Sequence, residues 1–148
     1  TVDKSMMKGA VYAMNLRELS GLLYRMKIVN QELTAIFEKE TGFSLTRYQL
    51  LQFLNEQGRC TQNQVQNELK IDSAAVTRHL KILEEKQFVT RERNKDNNRE
   101  IFVSLTPKAQ ADLASCASKH ASSEESLGIN LTEEEEAQLL TLLMKLVP

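Results

Sequence analysis

Cysteine, histidine and long apolar runs are all scarce in this sequence, and each shortage closes off a class of function. Two cysteines, Cys60 and Cys116, are too few and too unpatterned for a disulfide framework, which fits a reducing compartment. Neither of the two histidines, His79 and His120, has a His, Cys or carboxylate partner at metal-ligand spacing, so no metal site is expected. No run of 18 apolar residues and no charged-then-apolar leader is present. The expectation is therefore a cytoplasmic protein that neither spans a membrane nor is exported. A Gly-rich phosphate loop, a nucleophile elbow and a metal-binding helix motif are missing too, and the paired acids Glu84-Glu85 and Glu133 to Glu136 fall where capping and solvation explain them. Neither an enzyme nor a cofactor is expected.

What is there is ordinary in bulk and uneven in detail. The 148 residues are 26% charged and 41% apolar, which suits one globular domain, residues 1–148, able to bury a core without staples. A net charge of −1 argues against a basic nucleic-acid binder as a whole. The balance shifts along the chain, from +1 over residues 1–58 to +2 over 59–105 and −4 over 106–148. Any duplex contact must come from where individual cations are placed.

Leu19, Leu22, Met26, Val29, Leu33 and Ile36 recur at spacings of three and four. That stripe predicts a long helix starting near Met7 to Ala10 and stopping at Thr41-Gly42. A second helix, with Thr46 as its cap, carries Leu50, Leu51 and Leu54 and ends at Gly58. Residues 62–69 form a short helix with Val65 and Leu69 inward, and Lys70-Ile71-Asp72 turns the chain into another, capped by Asp72 or Ser73. Helix, short turn, helix is the spacing of a helix-turn-helix, although the usual turn glycine is missing.

On a wheel of about 100° per residue, Val76, Leu80 and Leu83 share one arc of that last helix while Ala74, Thr77, Arg78 and Lys81 share the opposite one. The apolar arc faces a core. The polar arc holds a small residue, a hydroxyl and two cations, a set suited to phosphates and base edges. After Gln87 the period becomes two: "FVTRER" and "IFVSL" flank the polar "NKDNNRE", which predicts a β-hairpin with a long tip, Ile101, Val103 and Leu105 lying on one face. Thr106-Pro107 then opens a helix whose face of Ala109, Leu113, Cys116, Ala117 and Ala121 is small enough for close helix approach. A polar break from Ser122 to Asn130 leads to a final helix, with Thr132 and Glu135 spaced as a capping box. Its apolar residues, Leu139, Leu140, Leu142, Leu143, Met144, Leu146 and Val147, exceed one face and predict burial on several sides.

The strings "SAAVTRHLKILEEKQFVTRERN" and "DNNREIFVSLT", followed by "TPKAQ", arrive in one order and one spacing, and with them nearly the whole chain resembles the multiple-antibiotic-resistance regulator (MarR) family of winged-helix transcription factors. The resemblance implies a mainly α fold with a small β-hairpin. Residues 46–105 would be a winged helix-turn-helix lobe, and helices from 7–41 and 106–148 would interleave into the dimerisation lobe of an obligate homodimer on a pseudo-palindromic DNA duplex. It implies a transcriptional regulator, a repressor released by a small-molecule or redox signal. Residues 73 to 81 match the recognition helix, and Asp96 and Arg99 match the acid and arginine of the wing tip. Asn98 stands where the family often has a second arginine, which leaves less positive charge for the minor groove.

The DNA-binding set is accordingly Ser73, Ala74, Thr77, Arg78, Lys81, Lys95, Asp96, Asn98 and Arg99. Arg78 suits guanine, Thr77 a thymine methyl or a phosphate, and Lys81 and Lys95 suit phosphates. Small aromatic effectors of such relatives imply a pocket, for which Arg17, Tyr24, Tyr48 and Phe53 are the candidates. Two other classes compete: a winged helix used only for protein association, which gives Arg78, Lys81 and Arg99 no purpose, and an enzyme using Cys60, for which no base or oxyanion partner is visible. Both cysteines read first as small buried hydrophobes.

Overall fold

The computed structural model describes residues 11–121 and 129–147. Among them the order is α1 (Leu16–Thr41), α2 (Leu45–Gln57), β1 (Cys60–Thr61), α3 (Gln62–Leu69), α4 (Ser73–Glu85), β2 (Val89–Arg93), β3 (Ile101–Leu105), α5 (Pro107–Ala121) and α6 (Glu133–Leu146). The fold is mainly helical, as expected. None of these helices is long and apolar enough to cross a membrane.

Two helix starts differ from the sequence reading. Residues 11–15 are not helical, and α1 begins at Leu16, where Asn15 Oδ1 accepts from the Glu18 N–H at 2.8 Å; residues 7–10 lie outside the described residues. The apolar pattern runs past that cap through Val11, Tyr12 and Met14, so periodicity alone overshoots. For α2 the cap is Ser44, not Thr46, and the next N–H, that of Leu45, is taken at 2.8 Å by Glu38 Oε2 of α1. That partner lies seven residues back on another helix, beyond the reach of a local capping rule. Lys70 closes α3 in the left-handed conformation at φ 53°, filling the place of the absent turn glycine.

The hairpin is one part of a three-stranded antiparallel sheet in the order β1-β3-β2. Arg91 pairs with Val103 across the hairpin, and on the other side of β3 Cys60 pairs with Val103 and Thr61 with Phe102. A strand of two residues is too short to show a period, so the sequence reading missed β1. Thr61 also caps α3 through a capping box with Gln64, which joins the sheet edge to the first helix of the helix-turn-helix.

One core holds this lobe together. Leu50, Leu51 and Leu54 of α2 meet Val65, Val76, Leu80, Leu83, Val89 and Val103, all essentially without solvent contact, with Cys60 and Leu113 added at the margin. Tyr48 meets Phe37 and Phe43 edge-on at 5.3 and 5.4 Å, which fixes the C-terminal end of α1 to the lobe. Thr106 caps α5 as read, its Oγ1 accepting from the Ala109 N–H while donating to the Gln87 carbonyl at 2.8 Å.

The two end helices look different. Neither α1 nor α6 has a buried residue, and in the single chain all of α6 is exposed, including Leu142 at 58% and Met144 at 69%. The expected burial of α6 on several sides is thus not met within one subunit. On α5, Ala109 and Leu113 are buried, Cys116 is half-buried and Ala117 is exposed, while the side chain of Ala121 and most of the Ser122 to Asn130 break (residues 122–128) lie outside the described residues.

Candidate nucleic-acid interface

The exposed arc of α4 follows directly from what its other arc buries. Val76, Leu80 and Leu83 are sealed in the core, so Ser73, Ala74, Thr77, Arg78 and Lys81 all stand in solvent on one side. Asp72 caps the helix, its Oδ1 accepting from the Ala75 N–H at 2.7 Å. Thr77 donates its hydroxyl to the Ser73 carbonyl at 3.0 Å, which turns its free lone pairs and methyl outward. The face presents acceptor, methyl, guanidinium and ammonium within two turns of helix.

The wing tip is shaped by asparagines. Asn94 Oδ1 accepts from the Asp96 N–H at 2.9 Å, and Asn97 Oδ1 accepts from the Arg99 N–H at 3.1 Å. Asn94 and Glu100 close the base of the tip through both main chain and side chain, at 2.9 Å each. Lys95, Asp96, Asn98 and Arg99 are exposed around this frame. Asp96 and Arg99 form no ion pair among the described residues; the Asn98 carbonyl instead accepts from Arg93 Nη1, a tip contact that the sequence reading missed.

Two other arginines of the lobe are already engaged. Arg91 meets both carboxylate oxygens of Glu84 at 3.2 Å, which draws that carboxyl below its usual range. Arg59 lies over the Phe102 ring at 4.0 Å and reaches Glu92 at 3.4 Å. These contacts tie α4 to β2 and β2 to the segment before β1. Arg78, Lys81, Lys95 and Arg99 have no such partner among the described residues. The cations chosen from the sequence are among the uncompensated ones.

His79 lies half-buried on the flank of α4, its Nδ1 3.4 Å from Arg47 Nη1 of α2. Burial, then the charges of Arg47 and Arg78, push its pKa below the ordinary imidazole value. Spacing alone gave no sign of this pair, whose members are 32 residues apart.

The four ligand-pocket candidates do not converge within one subunit. Tyr48 belongs to the aromatic cluster at the C-terminal end of α1, and Phe53 packs on the core. Arg17 and Tyr24 are exposed on the first turns of α1, and Arg17 is some 30 Å along that helix from Phe37 at 1.5 Å per residue. A shallow cavity of about 280 Å³ sits elsewhere, on the wing, lined by Glu84, Arg91, Glu92, Arg93 and Ile101. Cys60 is buried, its thiol donating to the Gly58 carbonyl at 3.2 Å, and burial raises its pKa. No cluster of three metal-ligating side chains occurs among the described residues.

Comparison with known proteins agrees with this geometry. The chain is 34% identical to the uncharacterized HTH-type transcriptional regulator YdgJ of Bacillus subtilis, over 94% of this chain and 85% of that protein. MarR from E. coli, in the crystal structure of a mutant complexed with operator DNA, superposes with a TM-score of 0.78 at 25% identity, covering 92% of this chain and all of that one. Wild-type MarR in its apo form, also 25% identical and covering 93% and 100% of the two chains, gives 0.63. The described arrangement is thus nearer to the operator-bound form of that protein than to its free form. Residues 43–101, from the end of α1 to the start of β3, match the model of the MarR family. The chain belongs to the MarR family of transcriptional regulators.

Proposed function

We propose that the chain acts in the cytoplasm as a homodimeric repressor, in which residues 46–105 of each subunit read one half of a pseudo-palindromic operator and the helices α1, α5 and α6 hold the two subunits together. The observation that carries this reading is the exposed arc of Ser73, Ala74, Thr77, Arg78 and Lys81, whose cations stand uncompensated while Arg59 and Arg91 of the same lobe are paired with acids. Arg78 reads a guanine, Thr77 a methyl or a phosphate, Lys81 and Lys95 bind phosphates, and Arg99 enters the minor groove with Asn98 and Asp96 beside it. The greater likeness to an operator-bound relative supports reading this conformation as the binding-competent one. Release is by a small aromatic ligand that favours another arrangement of the two lobes, with Tyr48 and Phe53, or Arg17 and Tyr24, on its path. A thiol route through Cys60 is disfavoured, because a buried thiol of raised pKa offers little thiolate.

The test is Arg78→Ala on a selected operator and on random-sequence duplex. A bidentate base contact is worth about 1–3 kcal/mol of discrimination, so operator affinity should fall by roughly that much while random-sequence binding changes little. Equal losses on both would make Arg78 a backbone contact, and an unchanged affinity would remove α4 from the interface.

A further inference from the structure

Arg47 stands outside the helix-turn-helix, in the first turn of α2, and helix stability does not explain it there. A cation at a helix N-terminus works against the helix dipole, whose positive end prefers an acid, and the first turn of α2 contains none. Arg47 is half-buried, and its guanidinium meets no carboxylate among the described residues. It reaches instead to within 3.4 Å of His79 Nδ1.

A half-buried cation ordinarily recovers its lost hydration from an acid. An imidazole can take that place only when it is neutral with its proton on Nε2, leaving Nδ1 as the acceptor. Burial and the two neighbouring guanidinium groups favour the neutral ring. The contact therefore orients Arg47 without cancelling its charge. Two guanidinium groups, Arg47 from α2 and Arg78 from α4, act on one ring at the border of the exposed arc of α4. His79 sits about 100° around the helix from Arg78, off the centre of the polar arc, so a group held there lies to the side of the base-reading residues. A phosphate is the matching ligand, since the guanidinium fork fits two anionic oxygens.

We propose that Arg47 is a DNA-backbone contact contributed by α2, and that His79 is the positioning residue that fixes its guanidinium beside the recognition helix. This rests on the DNA-binding reading above. The experiment is the salt dependence of binding by the purified full chain, on a selected operator and on random-sequence duplex. Arg47→Met keeps the aliphatic stem and removes the charge. It should lower the slope of log K against log[salt] by about 0.9 for each phosphate no longer neutralised, and weaken both duplexes by a similar factor. Arg47→Lys should recover most of the slope. His79→Asn, whose amide oxygen replaces Nδ1, should bind as the parent does, whereas His79→Leu, which offers no acceptor, should reduce the slope in part. Thermal melts establish that each variant is folded, and Arg47→Gln gives the same readout if Arg47→Met is not. A parental slope in folded Arg47→Met or Arg47→Gln, or a weakening confined to the operator, overturns the phosphate contact; a parental slope in His79→Leu overturns the positioning role. A parent protein that binds neither duplex overturns the DNA-binding reading itself, a result distinct from either.

Discussion

Arg99 and Asp96 sit three positions apart on the wing, and their relation decides how the tip meets DNA. The backbone of the tip is held by Asn94 and Asn97, so neither charged side chain is needed to shape it. Arg99 is therefore free to enter a minor groove, where narrow A·T-rich segments concentrate negative potential. Arg99→Ala should weaken binding most on operators with A·T-rich flanks and lower the salt slope by about one per wing. Without an ion pair to Arg99, the Asp96 carboxylate only adds repulsion. Asp96→Asn should then bind as tightly as the parent or more tightly. Titrating both variants on operators that differ only in flank composition checks this: weaker binding by Asp96→Asn would mean that the carboxylate orients Arg99 in the complex, and parental binding by Arg99→Ala would mean that the wing stays out of the groove.

At the scale of single elements, the proposed function asks α4 to be both rigid and attractive to DNA, and Asp72 serves the first need against the second. Its carboxylate caps the helix at 2.7 Å yet places a negative charge at the start of the arc proposed to face DNA. Asp72→Ala should cost about 0.5–2 kcal/mol of stability, while Asp72→Asn keeps the cap at little cost. Denaturant melts of the two variants, set beside their operator affinities, separate the roles: Asp72→Asn should keep the parental midpoint and bind more tightly. Equal destabilisation by both would show that charge, not capping, is what the helix uses. The same helix shows what was legible in advance. The period of Val76, Leu80 and Leu83 sorted buried from exposed side chains, and with them the cations Arg78 and Lys81, because helix geometry is set within one turn. The wing was legible from its alternation, and the caps of α5 and α6 from Thr106 and Thr132. What stayed hidden depends on distant partners: β1 exists through its pairing with β3, the start of α2 is shared with Glu38, and Arg47 finds His79 only after α2 and α4 have packed.

For the whole molecule the apolar surface outside the core decides the state of assembly. The winged helix closes its own core, but α6 leaves Leu139, Leu140, Leu143 and Leu146 at 38–55% exposure, and α1 adds Leu19, Leu23, Val29 and Ile36. Contiguous apolar faces of this kind mark an interface. The acidic first turn of α6, Glu133 to Glu136, lies on one of these end helices, so pairing the chains through their ends would keep that charge away from the face proposed to meet phosphate. Folding and association should then be one event. Sedimentation at micromolar concentration should give twice the 16.9 kDa chain mass, and the thermal midpoint should rise with protein concentration, as it does when a partner subunit binds only the folded state. Leu143→Glu puts a charge among these side chains and should lower both the midpoint and operator affinity, although it lies in α6, outside the winged-helix lobe. A folded monomer at micromolar concentration, or a Leu143→Glu variant that binds the operator as the parent does, would show that one subunit is stable and reads DNA alone.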